Sequence, residues 1–157
     1  MEKFQITKEG FQKLKAELEN LKNIERPKII NQIAAARELG DLKENADYHS
    51  SREKQGFIEA QIADFEDKVS RAEVIDIANL SGSKVRFGAT VLLENLDNGK
   101  KVSYKIVSEY EADIDAGLIS NTSPVSRALM GKEVGDEVEI SAPGGVVSYE
   151  ILDVKFV

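Results

Sequence analysis

From residue 8 to about residue 76 the apolar positions recur at helical spacing. Phe11, Leu14, Leu18 and Leu21 follow one another at intervals of three, four and three, the spacing that lines one face of a helix. Thr7 is placed to cap the start, and Glu9 in the first turn suits the positive end of the helix dipole. Pro27 interrupts the stripe, which resumes in shifted phase with Ile29, Ile30, Ile33 and Ala36. Proline removes a backbone donor and crowds the preceding turn, so the pattern predicts a kink or short break near Arg26 within one helical arm.

A second helix is written more regularly. Tyr48, Gln55, Ile62 and Val69 recur every seven residues, and Ser51, Ile58, Phe65 and Ala72 form the companion set. Together they alternate three and four, an a/d seam sustained for about three and a half heptads. The seam is apolar in its lower half and polar toward the turn, where Tyr48, Ser51 and Gln55 stand. Two such helices joined by a short bend should pack antiparallel. At about 1.5 Å rise per residue, arms of roughly 30 residues make a rod on the order of 45 Å long.

Beyond the turn-rich "NLSGSK" at 79–84 the period becomes two. "TVLLENLDNGKKVSYKIV" reads as two strands about an Asp-Asn-Gly turn, a strong hairpin signal. In "NTSPVSRALMG" Ser123 is the expected N-cap, Pro124 the first helical residue and Gly131 the stop. "DEVEISAPGGVVSYEILDVKFV" supplies two further strands about a Pro-Gly-Gly turn. The predicted fold class is α+β: an N-terminal antiparallel coiled-coil hairpin over 1–77, a linker over 78–84, and a small antiparallel sheet domain with one helix over 85–157.

Composition narrows the chemistry. At 157 residues with 41% hydrophobic and 31% charged residues, the chain is expected to fold as one ordinary domain or two small ones. Its longest apolar runs are too short to span a bilayer, and the N-terminus lacks the apolar core of a signal peptide, so a cytoplasmic location is the default expectation. With no cysteine and a single histidine, His49, thiolate sites are excluded and a histidine zinc site is disfavoured. A net charge of −7 argues against sequence-independent wrapping of nucleic acid, which needs a basic surface.

The bend between the helices is where acids gather. Glu38, Asp41, Glu44 and Asp47 fall within ten residues that hold one cation, Lys43. One reading is structural: Gly40 ends the first helix, Asp41 and Glu44 stand at capping-box spacing, and Asn45 is a second candidate cap. The other is functional. Hard divalent cations such as Mg²⁺ take one or two protein carboxylates and complete their shell with waters and phosphates. Asp41 and Glu44 at the end of a rod could therefore offer an incomplete Mg²⁺ site, to be finished by whatever receives the rod.

The segment "RPKIINQIAAARELGDLKENADYHSSREKQGFIEAQI", with "KVSRAEVID" after it, resembles the coiled-coil domain of bacterial Gre transcript-cleavage factors. "FGATV", "LISNTSPVSRALMGKEVGDEVEI" and "PGGVVSYEILDV" resemble that family's FKBP-like C-terminal domain. The resemblance runs in order along nearly the whole chain. It implies a transcription elongation factor that binds bacterial RNA polymerase, with the C-terminal domain docking at the rim of the secondary channel. The hairpin tip then reaches the active centre and stimulates the polymerase's own cleavage of a backtracked RNA 3′ end.

On this resemblance Asp41 and Glu44 act in trans, helping to hold a second Mg²⁺ shared with the polymerase and to orient the attacking water. Such a factor is not an enzyme alone, binds Mg²⁺ weakly or not at all by itself, and works as a monomer away from any membrane. Arg37, Lys43 and Arg52 match positions near the RNA and are candidate phosphate contacts. Asn45 and Tyr48 are expected to support the tip from behind. Glu38 and Asp47 are expected to add electrostatic background, and His49 to be a surface residue. Three other readings are a prolyl isomerase, disfavoured by few aromatics in the sheet half, a coiled-coil scaffold indifferent to the tip acids, and a channel-binding inhibitor.

Overall fold

The computed structural model describes residues 2–41 and 44–157. Its contacts divide the chain into two units. One is Phe11–Ala72; the other joins Glu2–Gly10 to Glu73–Val157.

The first unit is a helical hairpin. Helix α1 (Lys8–Asn20) runs through a π-helical segment at Leu21–Glu25 into α2 (Arg26–Arg37), and α3 (Ala46–Arg71) returns alongside. Helical backbone angles persist on both sides of the π segment, and the Arg26 N–H donates to the Leu21 carbonyl five residues back. Pro27 thus does not end the arm: it stands in the first turn of α2, and a widened turn lies where the short break was expected. The π turn also explains the shifted phase. Leu21 and Ile29 are eight residues apart, one more than a heptad, and the extra residue is absorbed where the helix widens.

The hairpin core is Leu21, Ile29, Ile33, Ile58 and Ile62, with Leu18, Tyr48 and Phe65 packed against it. Every seam position expected on α3, from Tyr48 to Ala72, is buried or half-buried. The helix itself ends at Arg71. Ala72–Ile75, which the heptad pattern carried to about residue 76 as helix, is strand β2. It pairs with β1 (Phe4–Thr7), a strand that the sequence reading did not foresee.

The second unit is a five-stranded sheet in the order β5-β4-β3-β7-β6. Strands β3 (Thr90–Asn95), β4 (Lys101–Val107), β6 (Glu137–Ala142) and β7 (Gly145–Lys155) are the four expected from the two hairpins. They pair with one another antiparallel, with a bulge where β7 passes Leu92 and Leu93. Strand β5 (Leu118–Ser120) adds in parallel to β4 and is too short to have shown a period. Period two appears in burial: Val91 and Leu93 are buried while Thr90 and Leu92 are partly open. These side chains join Val85, Phe87, Ile106, Ile119, Val138, Ile140 and Ile151 in one core. The short helix α4 (Pro124–Leu129) contributes Leu129, with Ser123 accepting from the Ser126 N–H as its cap. The α+β class and its two architectures are as expected.

Candidate functional site

The bend from α2 to α3 is built by three backbone events. Arg37 is the last residue of α2, and the Leu39 N–H closes its final turn on the Ala36 carbonyl at 3.1 Å. Gly40 then takes φ +137°, a conformation that side-chain-bearing residues rarely adopt. Helix α3 begins after Asn45, whose extended backbone places Oδ1 to accept from the Tyr48 N–H at 3.0 Å. The cap is therefore Asn45, not an Asp41–Glu44 capping box. Within the structural reading of the bend, the second candidate cap, Asn45, holds the N-terminus of α3, and Gly40 has the positive φ expected near the end of the first helix.

Asn45 has a second partner. Its Nδ2 donates to the Ala36 carbonyl at 2.5 Å, so one amide ties the last turn of α2 to the first turn of α3. A second tie lies beside it: the Arg37 guanidinium sits 5.7 Å from the centre of the Tyr48 ring, a cation–π distance. Tyr48 meets His49 edge-on at 5.6 Å. Asn45 and Tyr48 thus each contact one of the residues that end α2.

Asp41, Glu44 and Asp47 are exposed, and together with Leu39, Asn45 and Ala46 they line one shallow recess of about 340 Å³. Asp47, read from sequence as background with Glu38, shares this recess; Glu38 does not line it. The signal was available, because Asp47 stands three residues after Glu44 and in the first turn of α3, where side chains face back along the helix. Arg52 is exposed on α3, and His49 is exposed as expected. Lys43, the remaining candidate phosphate contact, lies outside the described residues.

The donors in the recess are carboxylate oxygens, without imidazole or thiolate. That set suits a hard cation such as Mg²⁺ better than zinc or copper. Among the described residues no three His, Asp or Glu side chains converge as a closed metal site requires. The residues fit a cation held by one or two protein carboxylates, with the remaining ligands supplied from elsewhere.

Comparison with known proteins places both units. Residues 4–74 match the family model described as transcription elongation factor, N-terminal, and residues 80–156 match that of transcription elongation factor, GreA/GreB, C-terminal. The chain is 54% identical to the transcription elongation factor GreA of Phenylobacterium zucineum, over the full length of both. It is 53% identical to the GreA of Caulobacter vibrioides across 99% of each chain, and 52% identical to that of Rhodospirillum rubrum across 99% of each. A solved structure of a prokaryotic GreA/GreB elongation factor from Nitrosomonas europaea is 23% identical, covers 98% of this chain and all of its own, and overlays with a TM-score of 0.44. With one family model on the hairpin unit, another on the sheet unit and full-length relatives above half identity, the chain belongs to the GreA/GreB family of transcription elongation factors.

Proposed function

We propose that this elongation factor enters the secondary channel of bacterial RNA polymerase and stimulates the polymerase's own cleavage of backtracked RNA 3′ ends. The observation that carries the proposal is the division of labour at the tip. Asn45 caps α3 and ties the helices, while Asp41 and Glu44 stand exposed and line a carboxylate recess.

In this reading the hairpin delivers the two carboxylates to an active centre that already has its own acids and phosphates. Asp41 and Glu44 offer oxygens to Mg²⁺ there and accept a hydrogen bond from the attacking water, so that it faces the scissile phosphorus. When bound, the ion supplies charge stabilisation for the attacking and leaving oxygens of an in-line displacement. Asp47 raises the negative potential of the same recess. Arg37 at the end of α2, Arg52 on α3 and, by its place in the sequence of the bend, Lys43 supply positive charge suited to RNA phosphates. Because the cation shell and the substrate come from the polymerase, the factor alone has no nuclease activity and binds Mg²⁺ weakly. In this reading it works as a monomer.

The test uses purified polymerase halted in a backtracked state with Mg²⁺. Adding the protein should accelerate release of a short 3′ RNA fragment, and the protein alone should leave free RNA intact. Asp41→Ala and Glu44→Ala should each lower the stimulated rate by about 100-fold or more, as for loss of a group acting on transition-state charge, while competition binding to polymerase is retained. Normal cleavage by the doubly substituted protein would reject the tip assignment and favour a scaffold. Slowed elongation without cleavage would favour a channel-blocking inhibitor.

A further inference from the structure

We propose that Asn45 is a positioning residue for cleavage. Its amide, by donating to the Ala36 carbonyl while accepting from the Tyr48 N–H, fixes the distance between the two helix ends that carry the bend on which Asp41 and Glu44 stand. The inference rests on the reading of those two carboxylates as metal-directed.

The hairpin's packing explains why such a tie is needed. Its buried apolar residues end at Ile33 and Ala36 on α2 and at Ile58 on α3. Between Ile58 and the tip the seam of α3 offers Gln55 and Ser51, which are only half-buried, and then Tyr48. Polar seam residues leave the helix ends weakly held by burial. The Asn45–Ala36 hydrogen bond at 2.5 Å and the Arg37–Tyr48 cation–π contact act in that gap. Reactions that depend on oriented groups lose rate steeply when those groups move by about 1 Å, so a loosened tip should fold and bind yet cleave poorly.

Asparagine is the residue that can do both jobs. Serine caps a helix about as well but its hydroxyl is too short to cross to Ala36, and aspartate has the length but, ionised, only accepts. Asn45→Ser and Asn45→Asp therefore each keep the cap and remove the tie, the first without adding charge.

The chain has no cysteine, so nitroxide labels attached through Ala35→Cys and Ser50→Cys, exposed positions beside the same groove between α2 and α3, report the span of the helix ends in the free protein. Both Asn45 variants should retain the helical circular dichroism of the parent and broaden the label separation. On backtracked polymerase both should lower the cleavage rate at limiting Mg²⁺ by about 10- to 100-fold, the usual cost of losing a group that orients a metal ligand, with binding unchanged and partial recovery in excess Mg²⁺. Unaltered label separation overturns the proposal, whatever the cleavage rate; so does wild-type cleavage with a broadened span. Asp41→Ala is run alongside. If that variant cleaves normally the metal-directed reading fails by itself, while the labels still decide whether Asn45 holds the helix ends.

Discussion

Arg26 and Glu59 meet across the hairpin through two parallel contacts, Nε to Oε1 at 2.8 Å and Nη2 to Oε2 at 2.7 Å. The pair joins the first residue of α2 to α3, with both side chains part exposed. Hydrogen bonding to Arg26 holds the Glu59 carboxyl below the usual glutamate range, and the same bond raises the guanidinium above its own. The sign follows from linkage. A carboxyl whose pKa is lower in the folded state stabilises at pH values above its unfolded pKa, and that contribution is lost as pH falls through the folded value. The arginine side stays constant over the accessible range, because Arg26 is charged in both states. Glu59→Gln should therefore shift the melting temperature downward at neutral pH by no more than a few degrees, and the difference from the parent should shrink toward zero as pH is lowered below the glutamate range. Added salt should shrink it too, since the pair is open to solvent. A difference that persists at low pH would mean that Glu59 acts through packing of its stem.

The π segment at Leu21–Glu25 is a device of register. From Leu14 to Leu21 the buried positions step by seven, and from Leu21 to Ile29 by eight; Ile29, Ile33 and Ala36 then return to four and three. An unbroken α-helix would rotate the second half of the arm by about 100° for that one extra residue, turning Ile29 and Ile33 off the α3 seam. Widening one turn takes up the residue and keeps both halves facing α3. Deleting Asn23 should restore a plain heptad, convert the segment to α-helix, and leave the melting temperature of the hairpin unchanged or higher. Deleting Ala60 between the buried Ile58 and Ile62 breaks the opposite seam and should cost several kcal/mol, as for loss of two core isoleucines at about 2–5 kcal/mol each. The sequence announced the event through Pro27 and the phase shift, but not its form, because both a break and a π turn satisfy the same spacing. The α3 seam, the two long strand pairs and the Ser123 cap were legible since each is encoded by neighbours in sequence. At the site, the acids of the tip were legible as composition, whereas the Asn45 bond to Ala36 was not: it joins residues nine apart through a loop whose path no local pattern sets. The helix end at Arg71 was missed because Ala72 still satisfies the heptad, and partner strand β1 decides its state.

That partner strand gives the molecule a closure that its domain-like sequence pattern hides. Residues 2–10 belong with the sheet unit, with Ile6 and Thr7 fully or almost fully buried. The Glu111 carboxylate gathers them: it accepts from the Thr7 N–H at 3.2 Å, from the Thr7 hydroxyl, and from the Ser108 N–H at 3.0 Å. Thr7 Oγ1 accepts in turn from the Gly10 N–H at 3.1 Å, capping α1. Residues more than a hundred positions apart thereby share one polar cluster, with Gly10 pressed against the Glu111 side chain so closely that a methyl group there would occupy the carboxylate's place. In an open helix Gly→Ala gains about 1 kcal/mol. Here Gly10→Ala should instead destabilise, because Glu111 must move and abandon its donors, and an unsatisfied buried donor costs about 1–3 kcal/mol. Glu111→Ala alone should destabilise by a similar amount, leaving the Thr7 and Ser108 amides unpaired. Combined, the two should be strongly non-additive: with the carboxylate gone, the alanine at residue 10 has room and regains its helical advantage, so the double variant should be more stable than Glu111→Ala by a fraction of the ~1 kcal/mol propensity gain. Urea midpoints followed by tyrosine fluorescence, in a chain with no tryptophan, measure all four corners of this cycle. Additive effects would mean that Gly10 is required for its backbone rather than for the space it leaves to Glu111.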